Sequence, residues 1–169
     1  MKRIAFIFCL LTSLIYAQEP AAQKNSSEWD VLDKTFISII ESLTKANQAK
    51  FVALSLSKIE CEECAEAGDY NPGAFFVPAA DLYTSISTNF TKSAIYRALS
   101  KHGYTFSSAI LKNAKPGHLP SGSKDLKVYD VWIDTYLPDE LSKGHKGTRH
   151  AFRFVKLNGK FKLYGITST

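Results

Sequence analysis

Two cysteines three positions apart, Cys61 and Cys64, are the residues whose spacing most directly suggests chemistry. A Cys-x-x-Cys pair can catalyse redox exchange, hold part of a metal site, remain as free thiols or form a disulfide. The glutamates around both sulfurs disfavour the thiolate that redox catalysis needs. Zinc takes about four ligands, and no second Cys or His pair has ligand spacing. The pattern favours a structural disulfide over the alternatives, and we expect no metal and no cofactor.

A stretch of alternating polar and apolar residues, 126–137, holds two candidate acids, Asp130 and Asp134. In a strand their Cα atoms would lie roughly 13 Å apart. The paired carboxyl groups of a glycosidase lie about 5 to 9.5 Å apart, so these two acids cannot act together on one bond. Either acid alone could be a general base if it lined a pocket. The stronger expectation is cross-strand ion pairing with Arg153 and Arg149 of a neighbouring strand.

The same strand face has the composition of a recognition surface, because aromatic and arginine side chains are enriched at the energetic centres of interfaces. The candidate binding residues are Trp132, Tyr136, Arg149, Arg153 and Tyr164. Such residues also suit single-stranded nucleic acid, but a formal net charge of +5 for the whole chain is modest for a dedicated nucleic-acid binder. We therefore expect a protein or a small ligand as the partner, and no nucleic acid.

The N-terminus has the pattern of a secretory signal peptide. Lys2 and Arg3 precede an uncharged, mainly apolar run over residues 4–16, and Ala17 stands before a polar break. The run is shorter than the about 20 residues that span a bilayer. Cys9 lies in the middle of the run, unlike a lipoprotein cysteine. We expect cleavage after Ala17, a secreted or periplasmic location, and no integral membrane association after cleavage.

Two loop features are weaker candidates. The loop at residues 143–148 has backbone amides and bases that could hold an anion, although such loops are more often plain hairpin connections. Glycan acceptor patterns begin at Asn25 and Asn89, and they matter only in a eukaryotic secretory pathway.

The first half of the chain predicts helices. After a polar leader at residues 18–26, Ser27 and Asp30 have capping-box spacing at the start of an amphipathic helix that Asn47 would end. Residues 48–56 indicate a short second helix, and residues 57–73 a polar, acidic, turn-like segment. Pro78 suits the first turn of a third helix, which reaches residue 87.

A fourth helix and then strands complete the prediction. Thr91 would cap a helix that ends at Gly103, and residues 104–111 form a plausible strand. The alternation over residues 126–137 predicts a long strand with Leu137 on its inner face. Residues 149–157 and 160–167 form a hairpin on Asn158-Gly159, the strongest short hairpin signal.

Helices first and strands afterwards is the α+β order. An amphipathic helix, a short second helix, further helices, a long strand and a closing hairpin resemble the nuclear-transport-factor-2-like or cystatin-like α+β roll. The resemblance covers residues 27–169 and concerns element order, so it carries no functional residue over. It implies N-terminal helices packed on a curved antiparallel sheet formed mainly by the C-terminal half. The expected organisation is a signal peptide (1–17), a disordered leader (18–26) and one domain (27–169).

The function that these observations favour is non-catalytic binding of a protein or small ligand by an exported protein. One alternative is a small pocket enzyme, of hydrolase or isomerase type, with Asp130 or Asp134 as base. Another is a protective or inhibitory partner of a secreted toxin or hydrolase. An enzyme requires a deep pocket with a desolvated acid or histidine, whereas a binding module requires an exposed aromatic and basic face.

Overall fold

The computed structural model describes residues 27–61, 64, 75–112, 119 and 125–169. The predicted signal peptide, the leader and the glycan acceptor Asn25 lie outside the described residues. The helices are α1 (Glu28–Thr44), α2 (Gln48–Leu54), α3 (Ala79–Ser87) and α4 (Ala94–His102), with a 3-10 turn at Phe90–Lys92. The strands are β1 (Ser55–Cys61), β2 (Phe76–Pro78), β3 (Thr105–Lys112), β4 (Asp125–Tyr136), β5 (Thr148–Leu157) and β6 (Lys160–Ser168).

Helix α1 begins as its sequence predicts. The Ser27 hydroxyl accepts from the backbone N–H of Asp30, and the Asp30 carboxylate accepts from the backbone N–H of Ser27. This capping box satisfies two N–H groups that lack partners inside the helix. The apolar stripe of α1 is buried through Leu32, Phe36 and Ile39, so the helix packs its periodic face on the sheet.

Three predicted helix boundaries are wrong by one or two residues, and one of them is the end of α2, which lies at Leu54 instead of residue 56. Ala46, with φ of 51°, takes the left-handed conformation after α1, and Asn47 instead caps α2 by accepting from the N–H of Lys50. Ser93, not Thr91, caps α4, because its hydroxyl accepts from Tyr96 while residues 90–92 form the 3-10 turn. The correction at α4 exchanges one good capping residue for another close by, whereas the one after α1 puts an alanine at a position where glycine or asparagine is usual.

The sheet has six strands in the order β2-β1-β6-β5-β4-β3 and is curved and unclosed. All neighbours are antiparallel except β1 and β6, which are parallel. The helices cover one face of this sheet, and the α+β class is confirmed. The predicted all-antiparallel sheet becomes a mixed one because a strand from the N-terminal half joins it.

That strand, β1, contradicts the prediction of a turn-like segment from residue 57. Its sequence is polar, and only Ser55, Ile59 and Cys61 are buried. Ile59 and Cys61 pack into the helix–sheet core, while Lys58 and Ser57 are exposed. The strand forms because β6 and β2 pair with it on both sides, and these partnerships are invisible in local periodicity.

The C-terminal hairpin is confirmed in its register. Leu157 pairs with Lys160, and the turn residues Asn158 and Gly159 have φ of 49° and 78°. Two successive positive φ angles match the right-handed twist of the flanking strands. Strand β4 ends at Tyr136, however, and Leu137 is 41% exposed instead of facing the core.

The main core lies between the helices and the inner face of the sheet. Its largest fully buried side chains are Phe36 and Phe51 from the helices and Phe152 and Phe154 from β5. A smaller apolar cluster lies on the outer face, which none of the described helices covers. It consists of Leu126, Val128, Val155 and Tyr164. No helix in the described part of the chain is long and apolar enough to cross a membrane.

Candidate functional site

The outer face of the sheet carries the predicted cross-strand ion pairs. Asp130 lies opposite Arg153, and Asp134 lies opposite Arg149, in the register between β4 and β5. Arg153 Nε is 3.2 Å from Asp130 Oδ1, and Arg149 Nε is 2.6 Å from Asp134 Oδ1. The alternation of β4 places both aspartates on the outer face, and the register between β4 and β5 places each of them beside a cation.

Arg153 is the centre of a partly buried polar network. Besides Asp130, its guanidinium lies 3.5 Å from the Glu60 carboxylate on β1. The Tyr164 phenol belongs to the same network, and burial together with the charge of Glu60 raises the pKa of Tyr164 to about 12. Tyr164 is only 4% exposed, so this candidate binding residue is largely covered within its own sheet.

Trp132 and Arg149 form the accessible part of the predicted surface. The guanidinium carbon of Arg149 lies 4.9 Å from the centre of the Trp132 ring, a cation–π arrangement. The indole N–H of Trp132 donates to the Ser107 hydroxyl of β3 at 2.9 Å. Trp132 is half-buried and Arg149 is exposed, so both can meet a partner. A binding role for this face stays a prediction.

Tyr136 differs from the other four candidate residues because it contacts the helix layer. A register shift between Asp134 and Tyr136 interrupts the alternation of β4. The Tyr136 hydroxyl then accepts a hydrogen bond from Arg97 of α4 at 3.4 Å. The sequence pattern could not indicate this, since a bulge changes the direction of every side chain after it.

A pocket of about 550 Å³ opens between the helices and the inner face of the sheet. Its apolar lining comes from α3, the 3-10 turn, α4, β5 and β6, and includes Leu82, Ile86, Phe90, Ile95, Phe152 and Ile166. Its polar lining consists of Ser85, Asn89, Ser93 and His150. The Cys61–Cys64 disulfide lies in the wall as well. This pocket was not predicted from the sequence.

Two of the polar groups already have structural partners. The Ser93 hydroxyl donates to the Phe90 carbonyl at 2.6 Å and accepts from the Tyr96 N–H at 3.1 Å. The Ser85 hydroxyl donates to the Leu82 carbonyl at 2.8 Å. The hydroxyls of these two serines therefore form hydrogen bonds with nearby backbone at helix ends and turns. The other two polar lining residues, His150 and Asn89, have larger polar groups.

The Thr135 hydroxyl contacts the His150 ring at Nδ1 and orients it. The Thr135 hydroxyl has one hydrogen, and it donates that hydrogen to the Thr148 carbonyl at 2.9 Å. The same oxygen lies 3.0 Å from His150 Nδ1, where it can only accept. The contact is therefore satisfied by a proton on Nδ1 that is donated to the Thr135 oxygen. His150 was visible in the sequence only as an isolated histidine on a strand.

The disulfide between Cys61 and Cys64 is present, as the cysteine pattern predicted. It joins the end of β1 to a residue in the pocket wall. Among the residues that the structure describes, no three His, Cys, Asp or Glu side chains converge on one point.

The two aspartates proposed as a catalytic base are separated from the pocket by the sheet. His150 and Phe152 of β5 line the pocket from the inner face. Asp130 and Asp134 lie on the outer face, opposite Arg153 and Arg149. Side chains alternate between the faces of a strand, so neither carboxylate can reach the pocket interior.

The loop between β4 and β5 uses its own backbone amides. Gly144 N–H donates to Asp139 Oδ1 at 2.6 Å, and Gly147 N–H donates to His145 Nδ1 at 2.9 Å. The backbone amides of Gly144 and Gly147, which the sequence suggested as donors to an anion, therefore donate to side chains within the loop. This favours the plain hairpin connection.

No protein-family model and no curated protein matches this chain. Similar solved structures include a designed nuclear-transport-factor-2-like protein, at 14% identity, 84% coverage of this chain, 99% of that chain and a TM-score of 0.39. The hexachlorocyclohexane dehydrochlorinase LinA-type3 from Novosphingobium barchaimii LL02 is 9% identical, with coverages of 82% and 83% and a TM-score of 0.35. A de novo designed protein with a curved β-sheet is 11% identical, with coverages of 80% and 95% and a TM-score of 0.31.

The helix layer on one face of a curved, unclosed sheet is the α+β arrangement that the element order predicted, and it resembles a nuclear-transport-factor-2-like roll. At this level of similarity the matches concern the arrangement of elements alone. Because this fold class hosts unrelated activities, function has to be argued from the chain's own pocket and surfaces.

Proposed function

We propose that this protein binds a small, largely apolar ligand in the pocket between its helices and its sheet, and that it does so without catalysis. The observation that carries the proposal is the pocket volume of about 550 Å³ with a mainly apolar lining. Binding sites for small molecules are typically about 300 to 1,000 Å³, apolar, with a few polar groups that orient the ligand. His150 and Asn89 would supply that orientation here.

The electrostatics of the site favour binding over the enzyme alternative. His150 is the one ionisable side chain among the described lining residues, apart from the oxidised cysteines. Its Nδ1 lies 3.0 Å from the Thr135 hydroxyl, which orients the ring. A general base normally works with a second group that stabilises its protonated form or the developing charge. A hydroxyl that donates to a carbonyl supports orientation of the ring more than it supports proton transfer.

The neutral dye N-phenyl-1-naphthylamine, which fluoresces in apolar surroundings, tests the proposal. We expect saturable binding by the exported protein. Ile95→Trp, from α4, and Ile86→Trp, from α3, should each fill the pocket and weaken binding at least about tenfold. Val52→Trp is the matched control, since Val52 is an exposed α2 residue outside the pocket lining.

Circular dichroism of each variant separates pocket filling from unfolding. If one filled variant does not fold, the other variant still decides the result, because the two substitutions enter from different helices. The proposal fails if the wild-type protein shows no saturable fluorescence. It also fails if folded Ile95→Trp or Ile86→Trp binds the dye as tightly as Val52→Trp.

We also propose that the protein is exported and acts in a secreted or periplasmic location. The signal pattern at residues 1–17 supports this, and a disulfide is typical of an oxidising compartment. Intact mass spectrometry of the exported protein should give a chain that begins at Gln18. Its mass should increase by two hydrogens on reduction. A mature chain that retains Met1 would contradict the proposal.

A further inference from the structure

Strand β3 is an open edge of the sheet. It is eight residues long and pairs along its whole length with β4, and among the described residues it has no second strand beside it. Seven of its eight residues are exposed. Half of the N–H and C=O groups of an edge strand point away from its neighbour, which makes the strand a template for another chain.

The two edges of this sheet are protected very differently. The opposite edge, β2, has only three residues and ends at Pro78, so it offers little for pairing. Strand β3 is longer than an average strand of about 5 to 6 residues. It contains no proline, its register with β4 has no bulge, and residues 103–111 contain no charge. Of the usual features that prevent edge pairing, β3 therefore has only a lysine at its last position, Lys112.

Apolar side chains lie along the same edge. Phe106 is 37% exposed and Ile110 is 61% exposed, and both lie on the helix side of the sheet because they pair with Val131 and Lys127. Trp29 of α1 extends this surface, with its ring centre 5.9 Å from that of Phe106. The open backbone edge of β3 and these exposed apolar side chains therefore lie next to each other.

We propose that β3 pairs with β3 of a second copy of this chain, antiparallel and about a two-fold axis through Ser108. In this register Phe106 of each copy lies opposite Ile110 of the other, so the exposed apolar residues cover each other. Lys112 lies opposite Tyr104 of the second copy, so no like charges face each other. The strand is thus complementary to itself.

A second copy fits this edge better than a charged partner. Residues 103–111 carry no charge, so they have no electrostatic attraction for an acidic or basic segment of a partner. A two-fold axis perpendicular to the sheet keeps both helix layers on one side and continues each six-stranded sheet into the other. The pocket is lined by α3, α4, β5 and β6, so ligand binding does not require this pairing. One strand pair makes a small interface, and the dimer should be concentration-dependent.

Sedimentation velocity over a concentration series tests the pairing. We expect wild-type protein to dimerise and Ile110→Lys to weaken dimerisation at least about tenfold, because each dimer would place two ammonium groups against Phe106. Leu141→Lys is the control, since Leu141 is 53% exposed in the β4–β5 loop. A wild-type protein that is monomeric at every concentration would overturn the proposal. So would equal effects of the two lysine substitutions.

Cross-linking tests the register. In a Cys9→Ser background, with Cys61 and Cys64 already joined, Ser108→Cys places two thiols opposite each other at the axis. Mild oxidation should give a covalent dimer. Ser107→Cys should give far less, because Ser107 faces Ala109 of the second copy. Equal yields, or none for Ser108→Cys, would overturn the register and with it the proposed two-fold pairing.

Discussion

Arg153 and Arg149 point to the same face of the same strand, yet they have different structural roles. Arg153 lies between Asp130 and Glu60, and the Asp130 side chain is 10% exposed. The pair of Arg149 and Asp134 is nearly half exposed on both sides. A cation that neutralises a buried carboxylate has a larger effect on stability than one that pairs in solvent, where water and salt screen the interaction.

We therefore predict that Arg153→Ala lowers the free energy of unfolding by about 2 to 3 kcal/mol, because Asp130 would stay buried without its cation. Arg149→Ala should cost about 1 kcal/mol or less. Urea denaturation of the two variants measures both values. Equal losses would show that the Arg153 network is not the more buried one in solution. A test of partner binding on this face is accordingly better made with Trp132 and Arg149 than with Arg153.

At the scale of an element, the β4–β5 loop depends on one close backbone approach. Gly147 has φ of 88°, and a Cβ at that position would lie 2.7 Å from the Tyr136 carbonyl oxygen. Gly144 in the same loop has φ of 85°, but a Cβ there would meet nothing within 4 Å. The two glycines share a left-handed backbone and differ in the space around them.

This difference gives a matched prediction. Gly144→Ala and Gly147→Ala should both lose stability because alanine is strained at positive φ. Gly147→Ala should lose about 1 to 3 kcal/mol more, since the loop must move away from Tyr136 to accommodate the methyl group. Thermal and urea unfolding of the two variants provide the comparison. If Gly144→Ala were as destabilised as Gly147→Ala, the close approach to Tyr136 would have no energetic consequence.

At the scale of the whole molecule, Glu28 ties the first helix to the sheet. Its carboxylate lies 2.9 Å from Lys156 Nζ on β5 and 3.2 Å from Lys127 Nζ on β4. Hydrogen bonding to Lys156, and then to Tyr129 and Lys127, lowers the pKa of Glu28 to about 2. Folding thus favours the ionised form of Glu28. Its interaction with Lys127 and Lys156 joins the helix layer to the sheet.

The lowered pKa predicts a pH dependence. The contribution of Glu28 to stability is complete above its ordinary pKa of 4.5 and is lost as the pH falls from there to about 2. Glu28→Gln should therefore be less stable than wild type above pH 4.5 and should approach wild type near pH 2. Melting temperatures across this range measure the difference, and Lys156→Ala should remove most of the same dependence. A constant difference between wild type and Glu28→Gln would contradict the prediction.

Local features of the fold were predictable from the sequence alone. The capping box of α1 joins two residues three positions apart, and the hairpin register follows from a two-residue turn. The alternation of β4 also places Asp130 and Asp134 on one face, whereas the register between β4 and β5 that brings them to the arginines comes from the tertiary structure. The disulfide likewise joins cysteines three positions apart. In each case the interacting groups are neighbours in the chain, or a short turn determines how they meet.

The tertiary structure alone decided the features that need partners from distant segments. Strand β1 exists because β6, about a hundred residues further on, pairs with it, and Tyr164 of β6 is buried in the outer apolar cluster with residues of β4 and β5. The bulge before Tyr136 depends on how β4 and β5 end together. The pocket combines side chains from helices, strands and a disulfide spread over residues 61–166. The periodicity of the sequence shows which face of a helix or strand is apolar. Which distant segment packs against that face is determined by the tertiary structure.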